Sequence, residues 1–277
     1  MPELPEIETI RRDLERVVKG AQVLRVQAED PLLITPAASR KLKRVAKAQT
    51  IDRLDRCGKV LIIGLSGGWS VLQRFGMTGQ MYPVQAGETL PPHTRMVWHL
   101  VDGRRLVYRD ARRFGQTLLV RTADLEKTLR EECRLGHDVL EPQLTPIEFA
   151  AMLEGHRTPL KCFLLDQRYL AGIGNIYASE ILHRARLSPL RSASSLSRKE
   201  QCTLLRMIGQ VMDEAVAAQG TTISDYVTGE GATGGFQSFL RVYGREGERC
   251  RRRGCQGRIQ RVVQAQRSTF YCPECQR

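Results

Sequence analysis

A proline stands directly after the initiator methionine in the opening run Met1-Pro2-Glu3-Leu4-Pro5-Glu6. Methionine before a small residue is normally trimmed, and its loss would leave Pro2 with a secondary amine. Such an amine attacks an aldehyde carbon to give an iminium that stays positively charged at any pH. It is an electron sink of the kind lysine Schiff bases provide, with no cofactor required. An α-amino group titrates near pH ~7.7–8, so part of it is nucleophilic at neutrality. Glu3 and Glu6 lie beside it as candidate proton donors and acceptors. The same run also reads as an ordinary helix start, with Pro5 and acidic residues in the first turn.

A second constellation closes the chain: Cys250-x4-Cys255-x16-Cys272-x2-Cys275. Two thiol pairs at these separations suit one tetrahedral zinc at the base of a β-hairpin, and four sulfurs leave no open coordination position for catalysis. The hairpin from Arg258 to Thr269 would then be an arm carrying Arg258, Arg261 and Arg267. Three further segments have chemical potential. Gly172-Ile173-Gly174-Asn175 sets two glycines ahead of a helix, where backbone N–H groups can meet a phosphate. Asp110-Ala111-Arg112-Arg113-Phe114-Gly115 places an aromatic and two cations in a loop, able to wedge into a base stack. Gly76-Met77-Thr78-Gly79 holds a lone Met in a turn, for packing or for wedging.

These residues need elements to position them. Ile7, Ile10, Leu14 and Val17 recur at helical spacing, predicting a helix from Pro5 to about Val18 that Gly20 ends. Short β-rich runs follow at Val23–Val26, Val60–Leu65, Ser70–Gln73, Met96–Leu100, Arg105–Tyr108 and Thr117–Val120. Gly67-Gly68 and Asp102-Gly103 punctuate them, which suggests a β-sandwich. Beyond Arg121 the pattern turns helical at Ala123–Cys133, Pro146–Glu154, Leu160–Leu165 and Asn175–Ala185. A capping box at Ser197 and Glu200 opens a long helix that runs toward Gly220. The glycine-rich stretch Thr228–Gly235 reads as a linker or a substrate loop.

With 277 residues and 42% hydrophobic content the chain has room for two domains and a small module. No apolar run is long enough for a membrane span, and the N-terminus lacks the charged-then-apolar pattern of a secretion signal, so it is expected to belong to the mature protein apart from Met1. Cys57, Cys133, Cys162 and Cys202 are scattered singly, which points to a reducing cytoplasm rather than a disulfide scaffold. The net charge is +13, and Arg241 to Arg277 hold ten Arg and no Lys against three Glu, so more than half of it lies in that tail. Arginine without lysine suits forked contacts to phosphate, and a polyanion such as nucleic acid is the expected partner.

Together these segments resemble the formamidopyrimidine-DNA glycosylase / endonuclease VIII family of base-excision repair enzymes. The resemblance runs along the whole chain through Pro2-Glu3-Leu4-Pro5-Glu6, Cys57-Gly58-Lys59, Gly76–Gly79, Asp110–Gly115, Gly172–Glu180, Val242-Tyr243-Gly244-Arg245 and the four cysteines. It implies an α+β multidomain fold: an N-terminal catalytic β-sandwich with a flanking helix (1–135), a helix-two-turn-helix DNA-binding domain with a lesion loop (136–235), and a C-terminal zinc-ribbon finger (236–277). It implies a bifunctional glycosylase and abasic-site lyase acting as a monomer on double-stranded DNA that contains a damaged base or abasic site, with one structural zinc. A bacterial, nucleoid-associated cytoplasmic enzyme follows from it.

Carried to matching positions, Pro2 attacks C1′ of the damaged nucleotide, Glu3 handles protons, and Glu6 supports the amine and the helix start. Lys59, Asn175 and Arg267 grip phosphates, and Lys161 fits a lesion-side or phosphate contact. Met77, Arg112 and Phe114 match the trio that fills the gap left by a flipped base. Leu4 rather than glycine resembles the branch that removes oxidised purines, with Gly229–Gly235 closing over 8-oxoguanine. The chain departs from the family at Arg74-Phe75 (usually His-Leu), Ala111 (usually Pro), Cys57 (usually Arg) and the lengthened first cysteine gap. The alternatives are endonuclease VIII chemistry on oxidised pyrimidines, a non-catalytic zinc-dependent DNA-binding protein, and an RNA-binding zinc-ribbon protein.

Overall fold

The computed structural model describes residues 2–141, 144–221 and 234–277, which group into two units. The first takes in the described residues up to Cys133 together with those of Ala218–Gly235. It opens with α1 (Leu4–Val18), whose Ile7, Ile10, Leu14 and Val18 fall on one face and are fully buried. Each such side chain contributes roughly 1.5–3 kcal/mol by leaving water. Gly20, at φ +82°, turns the chain out of the helix where other residues would be strained.

Two four-stranded antiparallel sheets follow. One is ordered β1 (Val23–Ala28), β6 (Thr94–Leu100), β7 (Arg105–Arg109), β5 (Gln80–Val84). The other is ordered β2 (Ile51–Cys57), β3 (Val60–Leu65), β4 (Trp69–Arg74), β8 (Gln116–Arg121). A single core takes Trp98, Leu106 and Tyr108 from the first sheet, Leu54, Ile63 and Val71 from the second, and the apolar face of α1. This is the expected sandwich with its flanking helix.

Three elements of this unit are not signalled by the sequence pattern. The helix α2 (Pro36–Ala46) has only Ser39, Leu42 and Ala46 buried, too thin a stripe for a periodicity argument; its start is marked by Thr35, whose side chain accepts from Ala38 N–H at 3.3 Å. In β2 the pairing shifts between Ile51 and Arg53, which breaks the alternation. Pro83 argues against β5, yet β5 pairs only with β7 and lies at the sheet edge, where proline is tolerated. The short α3 (Leu125–Glu131) completes the run to Cys133.

The second unit contains the described residues of Arg134–Ala217 and Phe236–Arg277. A two-residue parallel pair, β9 (His137–Asp138) with β10 (Leu170–Ala171), accompanies α4 (Pro146–Leu153), α5 (Leu160–Leu165), α6 (Asn175–Ala185) and α7 (Arg198–Ala217). The last two helices pack together, and α7 starts at the predicted capping box, with Ser197 N–H donating to Glu200 Oε2 at 2.8 Å. The C-terminal module is the hairpin of β11 (Gln260–Gln264) and β12 (Arg267–Tyr271). By sequence, residues up to 235 belong with the helical segment. The structure instead groups the described part of Ala218–Gly235 with the sandwich, because Thr221 N–H donates to Glu6 Oε1 at 2.7 Å.

Candidate functional site

Pro2 is buried just ahead of α1, with Glu3 and Glu6 each 1% exposed. Both Glu6 oxygens are engaged by backbone donors. Glu3 N–H reaches Oε2 at 2.7 Å, and Thr221 N–H reaches Oε1 at the same distance. Gly220 lies close enough that a Cβ there would meet Glu6 Oε1 at 2.6 Å, and its φ of +78° favours glycine as well. Glu6 thus ties the backbone of Glu3, next to Pro2, to that of Thr221. Thr221 itself pairs with Gly235. Residues 222–233, which include most of the glycine-rich stretch Thr228–Gly235 expected to close over a lesion, lie outside the described residues.

Lys59 occupies the two-residue turn Gly58-Lys59 between β2 and β3, where Gly58 takes a φ of +53°. A charge relay steadies this turn. Arg56, only 4% exposed, donates to Glu8 Oε2 of α1 and to the Gly58 carbonyl, both at 3.2 Å. Burial alone would raise the Glu8 carboxyl. Hydrogen bonds from Arg11 and Arg12, with the charges of Arg11 and Arg56, hold it below its ordinary value.

The turns bearing Met77, Arg112 and Phe114 meet within the same unit. Met77 and Phe114 are exposed, and the Arg112 guanidinium lies 4.9 Å from the centre of the Phe114 ring. Asp110, 1% exposed, organises both turns. Its Oδ1 accepts from the Thr78 hydroxyl and Arg112 N–H, and its Oδ2 accepts from Gly115 N–H at 2.8 Å and the Tyr108 hydroxyl at 3.4 Å. A Cβ on Gly76, at φ +61°, would meet the Phe114 backbone at 2.6 Å, so glycine permits the close approach. Arg113, next to the exposed pair, is committed to a forked bond with Asp30 at 2.7 and 2.9 Å.

In the second unit, Asn175 is the first residue of α6, and its Nδ2 donates to the Ser268 carbonyl at 3.1 Å. Lys161 is fully buried and donates to the same carbonyl and to Thr269 Oγ1, both at 2.8 Å. Arg267 is exposed at the start of β12, one residue before that junction. Lys161 therefore braces the strand rather than reaching outward. Glu180, also fully buried in α6, accepts three backbone N–H groups, from Arg241, Val242 and Tyr243, each at 2.9 Å. That carboxylate shapes the Val242-Tyr243-Gly244-Arg245 turn.

The sulfurs of Cys250, Cys255, Cys272 and Cys275 all lie within 4.8 Å of one another. Cys250 and Cys275 are 3.8 Å apart, and Cys255 and Cys272 are 3.6 Å apart. A tetrahedron with Zn–S bonds of about 2.3 Å has edges of about 3.8 Å, which these two pairs match, so four thiols in this cluster fit one zinc ion. Burial pushes the Cys250 and Cys275 thiols up, an arrangement that a bound cation reverses.

Comparison with known proteins accounts for these features jointly. Residues 1–117 match the formamidopyrimidine-DNA glycosylase N-terminal domain, 135–227 its H2TH domain, and 247–277 the zinc finger found in FPG and IleRS. A formamidopyrimidine-DNA glycosylase of Methylobacterium sp. (strain 4-46) is 42% identical, over all of this chain and 99% of its own. The chain belongs to the formamidopyrimidine-DNA glycosylase family. The MutM (FPG) protein of Thermus thermophilus superposes with a TM-score of 0.88 at 40% identity, over 99% of this chain and 98% of its own. A point mutant of the Lactococcus lactis FPG, in complex with Fapy-dG-containing DNA, gives 0.93 at 29% identity over the whole of both chains. The same species' Fpg in complex with abasic-site DNA also gives 0.93.

Within this family frame, the structure gathers Pro2, Glu3 and Glu6 at one helix start. It gathers Met77, Arg112 and Phe114 at one pair of turns, and Lys161, Asn175 and Arg267 around Ser268 in the other unit. Two carboxylates escape sequence reasoning, Asp110 and Glu180. Both stand inside quoted motifs, and each looks there like one more charged residue. For Asp110 the available signal is an acid leading into a glycine-ended turn, where unsatisfied backbone N–H groups need an acceptor. Glu180 lies inside α6 and its donors come from residues 241–243, so its neighbours in sequence give no such signal.

Proposed function

We propose that this chain is a bifunctional base-excision repair enzyme that releases oxidised purines from duplex DNA and then cuts the strand by β,δ-elimination. After loss of Met1, the Pro2 nitrogen attacks C1′ of the damaged nucleotide. The glycosidic bond breaks and the base leaves with the proton lost by the amine; the C1′–O4′ bond then opens, O4′ takes a proton from Glu3, and C1′ becomes an iminium. That iminium acidifies the C2′ proton, whose removal expels the 3′ phosphate; a second elimination expels the 5′ phosphate. Glu3 is the proton carrier in this reading. The carrying observation is that Glu3 and Glu6 cap one another at the start of α1, with Glu3 N–H donating to Glu6 Oε2 at 2.7 Å, which holds two buried carboxylates beside Pro2.

Lys59, Asn175 and Arg267 bind phosphates, and Met77, Arg112 and Phe114 occupy the space of the displaced base. The zinc is structural: held by four sulfurs, it supplies cross-linking of the finger and no open position for substrate. Supporting the purine branch are Leu4 and the family's curated relatives. The reading keeps three functional parts, 1–135, 136–235 and 236–277, in a monomer that works on the bacterial chromosome in the cytoplasm.

Borohydride trapping tests it on duplexes carrying 8-oxoguanine opposite cytosine or thymine glycol opposite adenine. A covalent adduct on the 8-oxoguanine strand is expected, and Pro2→Gly should abolish it. Preferential trapping on the glycol strand would move the chain to pyrimidine lesions. No adduct from Met1-processed protein would leave a DNA-binding protein without this chemistry.

A further inference from the structure

The lengthened first cysteine gap contacts one residue of α6 twice. His183, near the end of that helix, is fully buried, and its Nε2 lies 3.3 Å from Cys250 Sγ. From the loop between Cys250 and Cys255, the Arg252 guanidinium donates to the backbone carbonyl of the same His183 and, at 3.4 Å, to that of Arg184. Those carbonyls belong to the last turn of α6, where a cation is favoured by the helix dipole. Arg251, beside it, donates to the Leu240 carbonyl at 3.0 Å. The loop thus uses its added length to reach the helix.

We propose that His183 is a positioning residue of the zinc centre, its Nε2–H donating to the zinc-bound Cys250 thiolate. A metal-bound thiolate carries no proton and can only accept, so Nε2 is the nitrogen that carries the hydrogen. Nδ1, buried without a hydrogen-bond partner among the described residues, is then the bare one. Donation to the sulfur spreads its charge and slows protonation and metal loss, as outer hydrogen bonds do at other metal sites. The bond also ties the finger to α6 at its far end, since the near end is joined through Asn175 and Ser268. Zinc occupancy and the placement of Asn175 thereby become linked through one helix. This inference rests on the zinc finger alone and stands whether or not the Pro2 chemistry holds.

The test uses the full chain. With cadmium in place of zinc, a proton–cadmium correlation from the His183 Nε2–H is expected, because scalar coupling passes through an N–H···S–metal bridge and not through mere packing. Its absence in the wild-type protein overturns the proposal. Zinc transfer to a colorimetric chelator should be about tenfold or more faster in His183→Phe, which keeps the volume and loses the donor. In His183→Gln, whose amide can still donate, the rate should lie nearer the wild type. A Phe variant that holds zinc as long as the wild type also overturns the proposal. If the Phe variant fails to fold, the wild-type correlation decides alone.

Discussion

Asp110 shows what a single buried residue does for the exposed ones around it. Each of its oxygens faces two donors, so no amide can replace it without turning an NH2 toward an N–H or O–H. The isosteric Asp110→Asn therefore leaves donors unsatisfied at about 1–3 kcal/mol and loosens the turns bearing Met77 and Phe114. Excision of 8-oxoguanine from a duplex, which needs a filled base stack, is expected to fall by roughly tenfold or more. Lyase cutting of a single-stranded abasic oligonucleotide, which needs no flipping, should stay within about twofold. Equal loss on both substrates would mean that Asp110 serves the general fold only. The exposed Met77 and Phe114 proposed as wedges, and the proline proposed as nucleophile, stand out in the sequence because their types suggest that chemistry. Asp110, Glu180 and the inward turn of Lys161 do not, because a carboxylate or an ammonium reveals its burial only once its donors and acceptors have been brought round it.

Among elements, the β11–β12 hairpin carries Arg267 on a strained tip. Its two turn residues, Ala265 and Gln266, sit at φ +45° and +61°, a conformation that asparagine and glycine adopt far more readily. Ala265→Asn combined with Gln266→Gly is expected to stabilise the finger by about 1 kcal/mol, read as a higher melting temperature with unchanged zinc content. A lower melting temperature would show that the tip is held by contacts other than its own turn geometry. At the start of α7, a hydrogen bond from Arg191 pulls Glu200 down to about 2, against burial and with help from Ser197. A carboxylate depressed on folding stabilises above its unfolded pKa, and that stability is lost as pH falls from about 4.5 toward 2. Wild-type and Arg191→Gln melting temperatures should therefore differ at neutral pH and converge in that acid window; parallel curves throughout would count against the pair. The same helix is plain in the sequence because its capping box and apolar stripe agree. By contrast α2, β2 and β5 are hidden by charge, a register shift and an edge proline, features whose meaning depends on neighbouring strands.

Across the whole molecule, charge and metal act together. More than half of the net charge of +13 falls between Arg241 and Arg277, and its cations are all arginine. An arginine set can grip regularly spaced phosphates only when the backbone beneath it is fixed, and the four cysteines are what fix it. For a duplex ligand, each neutralised phosphate adds about −0.9 to the slope of log K against log salt. Replacing Arg267 by glutamine should therefore reduce the slope for an abasic-site duplex by about 1 and weaken binding uniformly across sequences. Cys272→Ser should release the zinc and reduce the slope by more than that, because Arg258, Arg261 and Arg267 lose their common frame at once. Its sandwich, whose described core cluster is built from residues between Ile7 and Leu119, should still melt cooperatively. Salt titrations of the three proteins distinguish these cases. A Cys272→Ser slope no shallower than that of Arg267→Gln would mean that the finger holds its arginines in place without metal.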